Sequence, residues 1–108
     1  MLRVLFLGFP AVIFIVGLPL ALRSVPPNRF YGFRTPAAFS SLDTWYQLNF
    51  ATGVALIVAG VLSGVVVVLL DHGMFALKPE TRYSIGILLA GMLLLASLIA
   101  VVLYANRF

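Results

Sequence analysis

The chain has 108 residues, of which 63% are hydrophobic and only 9% charged; an average soluble domain carries roughly 25% charged residues. Seven Lys and Arg against three Asp and Glu give a formal net charge of +4, but the basic residues are scattered along the chain rather than massed on one stretch. That distribution excludes a nucleic-acid footprint and fits membrane anchors and topology signals, while the absence of cysteine removes any disulfide framework, thiol nucleophile or thiolate metal site.

The first element is the apolar run Val4 to Leu22, which contains no Asp, Glu, Lys, Arg or His. A bilayer core takes about 20 apolar residues of helix, so the run is long enough to cross. It is read as a retained span rather than a cleaved signal, because signal cores are usually about 7–15 residues and no small-x-small site precedes the following loop. Pro10 and Pro19 fall inside it; with no polar side chain beside them, they predict a bent lipid-facing helix rather than a ligand site.

The connection that follows is the most specific part of the sequence: Val25-Pro-Pro-Asn-Arg-Phe-Tyr-Gly-Phe-Arg-Thr-Pro36. Pro26-Pro27 favours extended chain and closes off the first helix. Gly32 can take a positive φ. Arg29 and Arg34 are planar forks suited to carboxylate or phosphate, and they are held between prolines with Phe30, Tyr31 and Phe33 around them. Slack between two lipid anchors has no need of such chemistry, so any particular function is expected here.

Ser40 is the expected N-cap of the second helix, with Asp43 near the positive end of the helix dipole. The helix is expected to begin at Ser41 and to continue through the apolar run Leu48 to Leu70, about 30 residues or roughly 45 Å. Its first two turns then lie in the headgroup zone, where Trp45 and Tyr46 suit the interface. Trp45, Asn49 and Thr52 share one face of this helix by their spacing. An amide such as Asn49 is costly in hydrocarbon unless it finds partners, and that face would meet the loop if the loop folds back. Gly60-x-x-x-Gly64 allows close helix approach, as do Gly86 with Ala90 and Ala96 with Ala100 on the third run, Tyr83 to Tyr104; these pairs predict that the second and third spans pack as a hairpin. Pro79 suits the first turn of the third helix.

The expected architecture is therefore an all-α membrane protein, a single module over residues 1–108 with three transmembrane helices and a structured interfacial loop between the first and second. Backbone groups in hydrocarbon must bond within their own segment, which makes the spans helices. Catalysis is not expected: Asp43, Asp71, Glu80 and His72 form neither a metal-ligand set nor a triad with a placed nucleophile, and no cofactor is implied. The spans hold no carboxylate or histidine of the kind proton-coupled transporters use. The first loop and the C-terminal tail share one side with Arg23, Arg29, Arg34 and Arg107, against Arg3, Lys78 and Arg82 on the other, so the positive-inside rule points to a cytoplasmic first loop.

Asn28, Gly32-x-Arg34-Thr35-Pro36, then Ser41, Trp45, Asn49 and Gly53, in a three-span layout, resemble the SdpI family of bacterial integral membrane proteins. The namesake of that family is an immunity protein that protects a bacterium from its own secreted killing peptide and signals by drawing a repressor to the membrane; it is longer, and this chain is similar to its motif-bearing portion. The resemblance implies a location in the bacterial inner membrane, a role in immunity or signalling, and Asn28, Gly32, Arg34, Thr35, Pro36, Trp45 and Asn49 as the positions carried over. With Arg29 and Asp43 these make up the candidate binding site. The expected arrangement pairs Arg34 with Asp43 or a lipid phosphate, bonds Asn28 and Asn49 to loop backbone, and caps the packing with Trp45. The surface so formed would bind a peptide toxin, a lipid headgroup or a protein partner. A different function also fits the small-residue helix faces: an accessory subunit packed within a larger membrane complex.

Overall fold

Hydrocarbon offers no hydrogen bonds, and the three apolar runs satisfy their backbones as helices. The computed structural model describes residues 2–73 and 76–108. In it α1 spans Leu2–Ala21, α2 Leu42–Asp71 and α3 Pro79–Ala105, with a single 3-10 turn at Ala38–Ser40 ahead of α2. At 20, 30 and 27 residues, all three helices are long and apolar enough to cross a membrane. Pro79 occupies the start of α3, as its fixed φ favours. Part of the second connection, Met74 and Phe75, lies outside the described residues.

The predicted start of α2 shifts by one residue. Ser41, not Ser40, is the N-cap: its backbone is extended and its hydroxyl accepts the Thr44 amide at 3.1 Å. Ser40 is already used, because its hydroxyl donates to the Ala37 carbonyl at 2.6 Å and closes the 3-10 turn.

The helix packing also differs from the small-residue pattern expected. α2 packs against both neighbours, more extensively on α1 than on α3. The two helices come close at Gly17 of α1 and Gly53 of α2: a Cβ on Gly53 would sit 2.7 Å from the Gly17 carbonyl oxygen and closer still to the Ala21 amide nitrogen, and one on Gly17 would sit 2.8 Å from the Gly53 carbonyl oxygen. Gly60 receives Phe14 of α1, whose amide nitrogen would be 2.9 Å from an added Cβ. Gly64 has nothing within 4 Å of its Cβ position, and Ala96 and Ala100 are exposed. The hairpin partner of α2 is thus mainly α1. Gly86 of α3 serves α1 as well: it makes room for the Phe6 ring, which would lie 2.5 Å from a Cβ there. Phe6 is fully buried and packs on Tyr83 with ring centroids 5.0 Å apart.

Buried side chains form three layers along the bundle. Phe6, Val67 and Leu70 fill one end, Ile13, Leu20, Leu56 and Ala59 the middle, and Ala38, Trp45, Leu48 and Ala105 the end that carries the loop. The hydroxyls of Thr52 and Ser63 are bonded within α2, to the Leu48 and Ala59 carbonyls.

α1 ends in a Schellman closure. The Arg23 amide donates to the Leu20 carbonyl at 3.2 Å and the Ser24 amide to the Pro19 carbonyl at 3.1 Å. Arg23 takes the left-handed position, φ 57°, where glycine is usual. For a residue with a Cβ this conformation costs about 1–2 kcal/mol.

Candidate functional site

The loop is built around two asparagines. Asn28 organises its first half: its side-chain oxygen accepts the amides of Phe30 and Tyr31 at 2.8 and 2.7 Å, while its nitrogen donates to the Pro26 and Tyr31 carbonyls at 2.8 and 3.0 Å. This Asx-type turn uses all the polar capacity of the amide locally. Asn49, 2% exposed on α2, ties the second half down. Its oxygen accepts the Phe33 amide at 2.6 Å; its nitrogen donates to the Phe33 carbonyl at 3.3 Å and to the Trp45 carbonyl at 2.9 Å. A residue of α2 thereby replaces the partner strand that a loop residue lacks.

Trp45 grips the loop at two other points. Its indole nitrogen donates to the Val25 carbonyl at 2.9 Å, before the first proline, and its ring lies 5.2 Å from that of Phe39, after the last. Trp45 is fully buried. Thr35 opens the 3-10 turn, accepting the Ala38 amide on its hydroxyl at 3.3 Å, with Pro36 exposed beside it. Tyr31 ties the loop to α1, its hydroxyl donating to the Val16 carbonyl. Partial burial pushes the Tyr31 phenol above its ordinary pKa, which keeps it in the donating form.

Gly32 adopts φ +113°, and a Cβ there would lie 2.5 Å from the Asn49 side-chain oxygen. The same small residue therefore permits the turn and the close approach to Asn49. Gly32→Ala is expected to destabilise the protein by about 2 kcal/mol, combining backbone strain with displacement of Asn49. Thermal unfolding in detergent checks this; a melting temperature equal to that of the parent would remove Gly32 from the site.

The pairing of Arg34 with Asp43 does not form. Arg34 turns back along the loop and donates to the Arg29 carbonyl, and among the described residues no ion pair is present. Asp43 lies elsewhere, in a concavity shared with Arg23, Tyr46 and Gln47. The guanidinium of Arg34 has a nearer acceptor in its own turn, and the exposed carboxylate of Asp43 is solvated without it. Both arginine side chains of the loop are exposed, and Phe30 between them is 91% exposed. Beneath it, Val16, Leu20, Thr52 and Leu56 line a cavity of about 300 Å3 between the loop and the helices.

Arg23 is the residue that sequence reasoning passed over, having counted it only as a topology charge. Its guanidinium stands 4.7 Å from the centroid of the Phe50 ring. The signal for it lay in the backbone, since a charged residue in the left-handed closing position of a helix is not a pattern that composition reveals.

The arrangement presents an exposed aromatic, Phe30, and the exposed Arg29 and Arg34 on a backbone tied down by Asn28 and Asn49. A family model described as the SdpI/YfhL protein family matches residues 24–105, which takes in the whole loop, α2 and α3. No curated protein and no solved structure matches the chain.

Proposed function

Because the chain belongs to the SdpI/YfhL protein family, we propose that it is a non-enzymatic multi-pass protein of the bacterial inner membrane, acting in immunity or signalling by binding a protein or peptide partner through the loop from Pro26 to Pro36. The observation that carries this reading is the exposure of Phe30, at 91%, on a backbone hydrogen-bonded on both sides of it. A large apolar ring presented on ordered chain is available to a partner, and ordered chain loses little entropy on binding. Aromatic residues and arginine are the side chains that dominate binding energy at protein interfaces. Arg29 and Arg34 flank Phe30 and supply the charge-assisted donors for an acidic partner. The balance of Arg23, Arg29, Arg34 and Arg107 against Arg3, Lys78 and Arg82 favours the cytoplasmic side for this surface.

A photo-reactive phenylalanine analogue at position 30, activated in membranes of the host bacterium, tests the reading. The expected result is one discrete adduct whose added mass is a polypeptide, lost with Arg34→Ala and retained with Lys78→Ala. Adducts to lipid alone, or adducts equally abundant in both variants, would overturn it.

The accessory-subunit reading has its own support: Gly64 and Gly91 carry nothing within 4 Å of their Cβ positions, and bare glycine on a lipid-facing helix is where another helix can approach closely. Migration in a native gel separates the two. A large assembly disrupted by Gly64→Leu favours the subunit; a small species unaffected by it favours the loop as the working surface.

A further inference from the structure

The loop motif does not account for Arg23 or for the two concavities it lines. One, of about 330 Å3, is bounded by Arg23, Asp43, Tyr46 and Gln47. The other, of about 500 Å3, shares Arg23 and Gln47 and continues along the groove between α2 and α3, over Phe50, Val54, Val101 and Tyr104. The first is polar and carries one positive and one negative side chain, neither of them in an ion pair. The second is apolar and runs from the end of α1 toward the hydrocarbon. A polar mouth joined to an apolar trough, at the level where the helix ends meet the headgroups, has the shape of a bound amphiphile.

The charges narrow its class. We propose that this groove binds a zwitterionic phospholipid with a primary ammonium, of the phosphatidylethanolamine type. The Arg23 guanidinium donates to two phosphate oxygens as a planar fork. The Asp43 carboxylate takes the ammonium, and Gln47 and Tyr46 offer hydrogen bonds to the linking oxygens. One acyl chain lies over Phe50 and Val54. An anionic headgroup without an amine leaves Asp43 facing like charge; a quaternary choline has no N–H to give it. The backbone of Arg23 points the same way. A left-handed position that glycine fills without strain is occupied here by an arginine whose guanidinium is stacked over Phe50, at the junction of the two concavities. The site uses none of the loop residues from Pro26 to Pro36, so its failure would leave the partner-binding reading untouched.

Native mass spectrometry of the purified full chain, titrated in detergent with dioleoyl phosphatidylethanolamine, phosphatidylglycerol or phosphatidylcholine, tests this. The parent is expected to retain one phosphatidylethanolamine in preference to the other two. Arg23→Gly removes the guanidinium while giving the backbone the residue that its φ favours, so the fold should melt no lower; phosphatidylethanolamine retention should fall by on the order of tenfold or more, the loss of the charge-assisted fork. Arg23→Gln must show the same loss. Asp43→Asn should keep lipid binding but bring phosphatidylglycerol level with phosphatidylethanolamine. Equal retention of all three lipids by the parent, or an order of preference unchanged in Arg23→Gln and Asp43→Asn, would overturn the proposal.

Discussion

Asn49→Ala is expected to open the loop to trypsin at Arg29 and Arg34, with cleavage about 30-fold faster than in the parent, which corresponds to about 2 kcal/mol of lost local stability. The side chain makes three hydrogen bonds from a site only 2% exposed. Two of them satisfy the amide and carbonyl of Phe33, which have no regular secondary structure to partner them. A buried polar group left unpaired costs about 1–3 kcal/mol; water entering from the exposed side of the loop recovers part of that for Phe33. Asp is no substitute. Asn49→Asp keeps the acceptor for the Phe33 amide but puts an oxygen where the Asn49 nitrogen now donates to the Trp45 carbonyl at 2.9 Å. It should therefore be cleaved as fast as the alanine variant. Thr52→Ala, one turn further along the same face, should leave cleavage unchanged, since that hydroxyl bonds only to its own helix at Leu48. Trypsin acts on the opened chain, so the rate reads the open population while reclosing is fast. If Asn49→Ala were cut no faster than the parent, the loop would be held by something other than this amide.

The same residue shows why parts of the structure were legible in the sequence. Hydrocarbon forces long uncharged runs into helices, and it forces an amide within reach of it to find partners; neither inference needs coordinates. The shared face of Trp45, Asn49 and Thr52 follows from helical spacing, and what lies opposite is a segment with backbone groups to spare. Other contacts could not be read because several partners were chemically equivalent. Ser40 and Ser41 are both competent caps, and the choice depends on Ser40 being spent on Ala37. Arg34 could meet a carboxylate or a carbonyl, and it takes the carbonyl of Arg29, five residues away in its own turn. Glycines on three helices offered several close approaches. Which of them met was set by the rotation of α1 about α2, which residue spacing does not encode. Arg23 was hidden for a related reason: its role depends on a φ angle and on a groove made jointly with α3.

Gly53→Ala carries the largest stability cost expected in the bundle, about 3 kcal/mol. Overpacking usually costs about 1–3 kcal/mol because side chains can turn aside. At Gly53 they cannot: the atoms an added Cβ would meet are the Gly17 carbonyl oxygen at 2.7 Å, the Ala21 Cα at 2.9 Å and, closer still, the Ala21 amide nitrogen, all of them backbone of α1. The helix as a whole must move. Gly64→Ala is the matched control, on the same helix and with nothing within 4 Å; it should be neutral or stabilising by up to about 1 kcal/mol, the ordinary difference between alanine and glycine in a helix. Identical chemistry at two positions eleven residues apart thus predicts opposite signs, and thermal unfolding of the two variants in one detergent decides it. Equal melting temperatures would mean that α1 and α2 do not cross at Gly17 and Gly53. The consequence reaches the loop as well. Gly53 is one turn below Asn49, and Ala21 is four residues before Val25, whose carbonyl Trp45 holds. Driving α1 outward at this crossing draws that carbonyl away from the indole, so Gly53→Ala should also speed trypsin cleavage at Arg29, whereas Gly64→Ala should not. The glycine crossing in the bilayer and the ordered arginine segment at its surface are in this sense one structure, coupled through the last turn of α1.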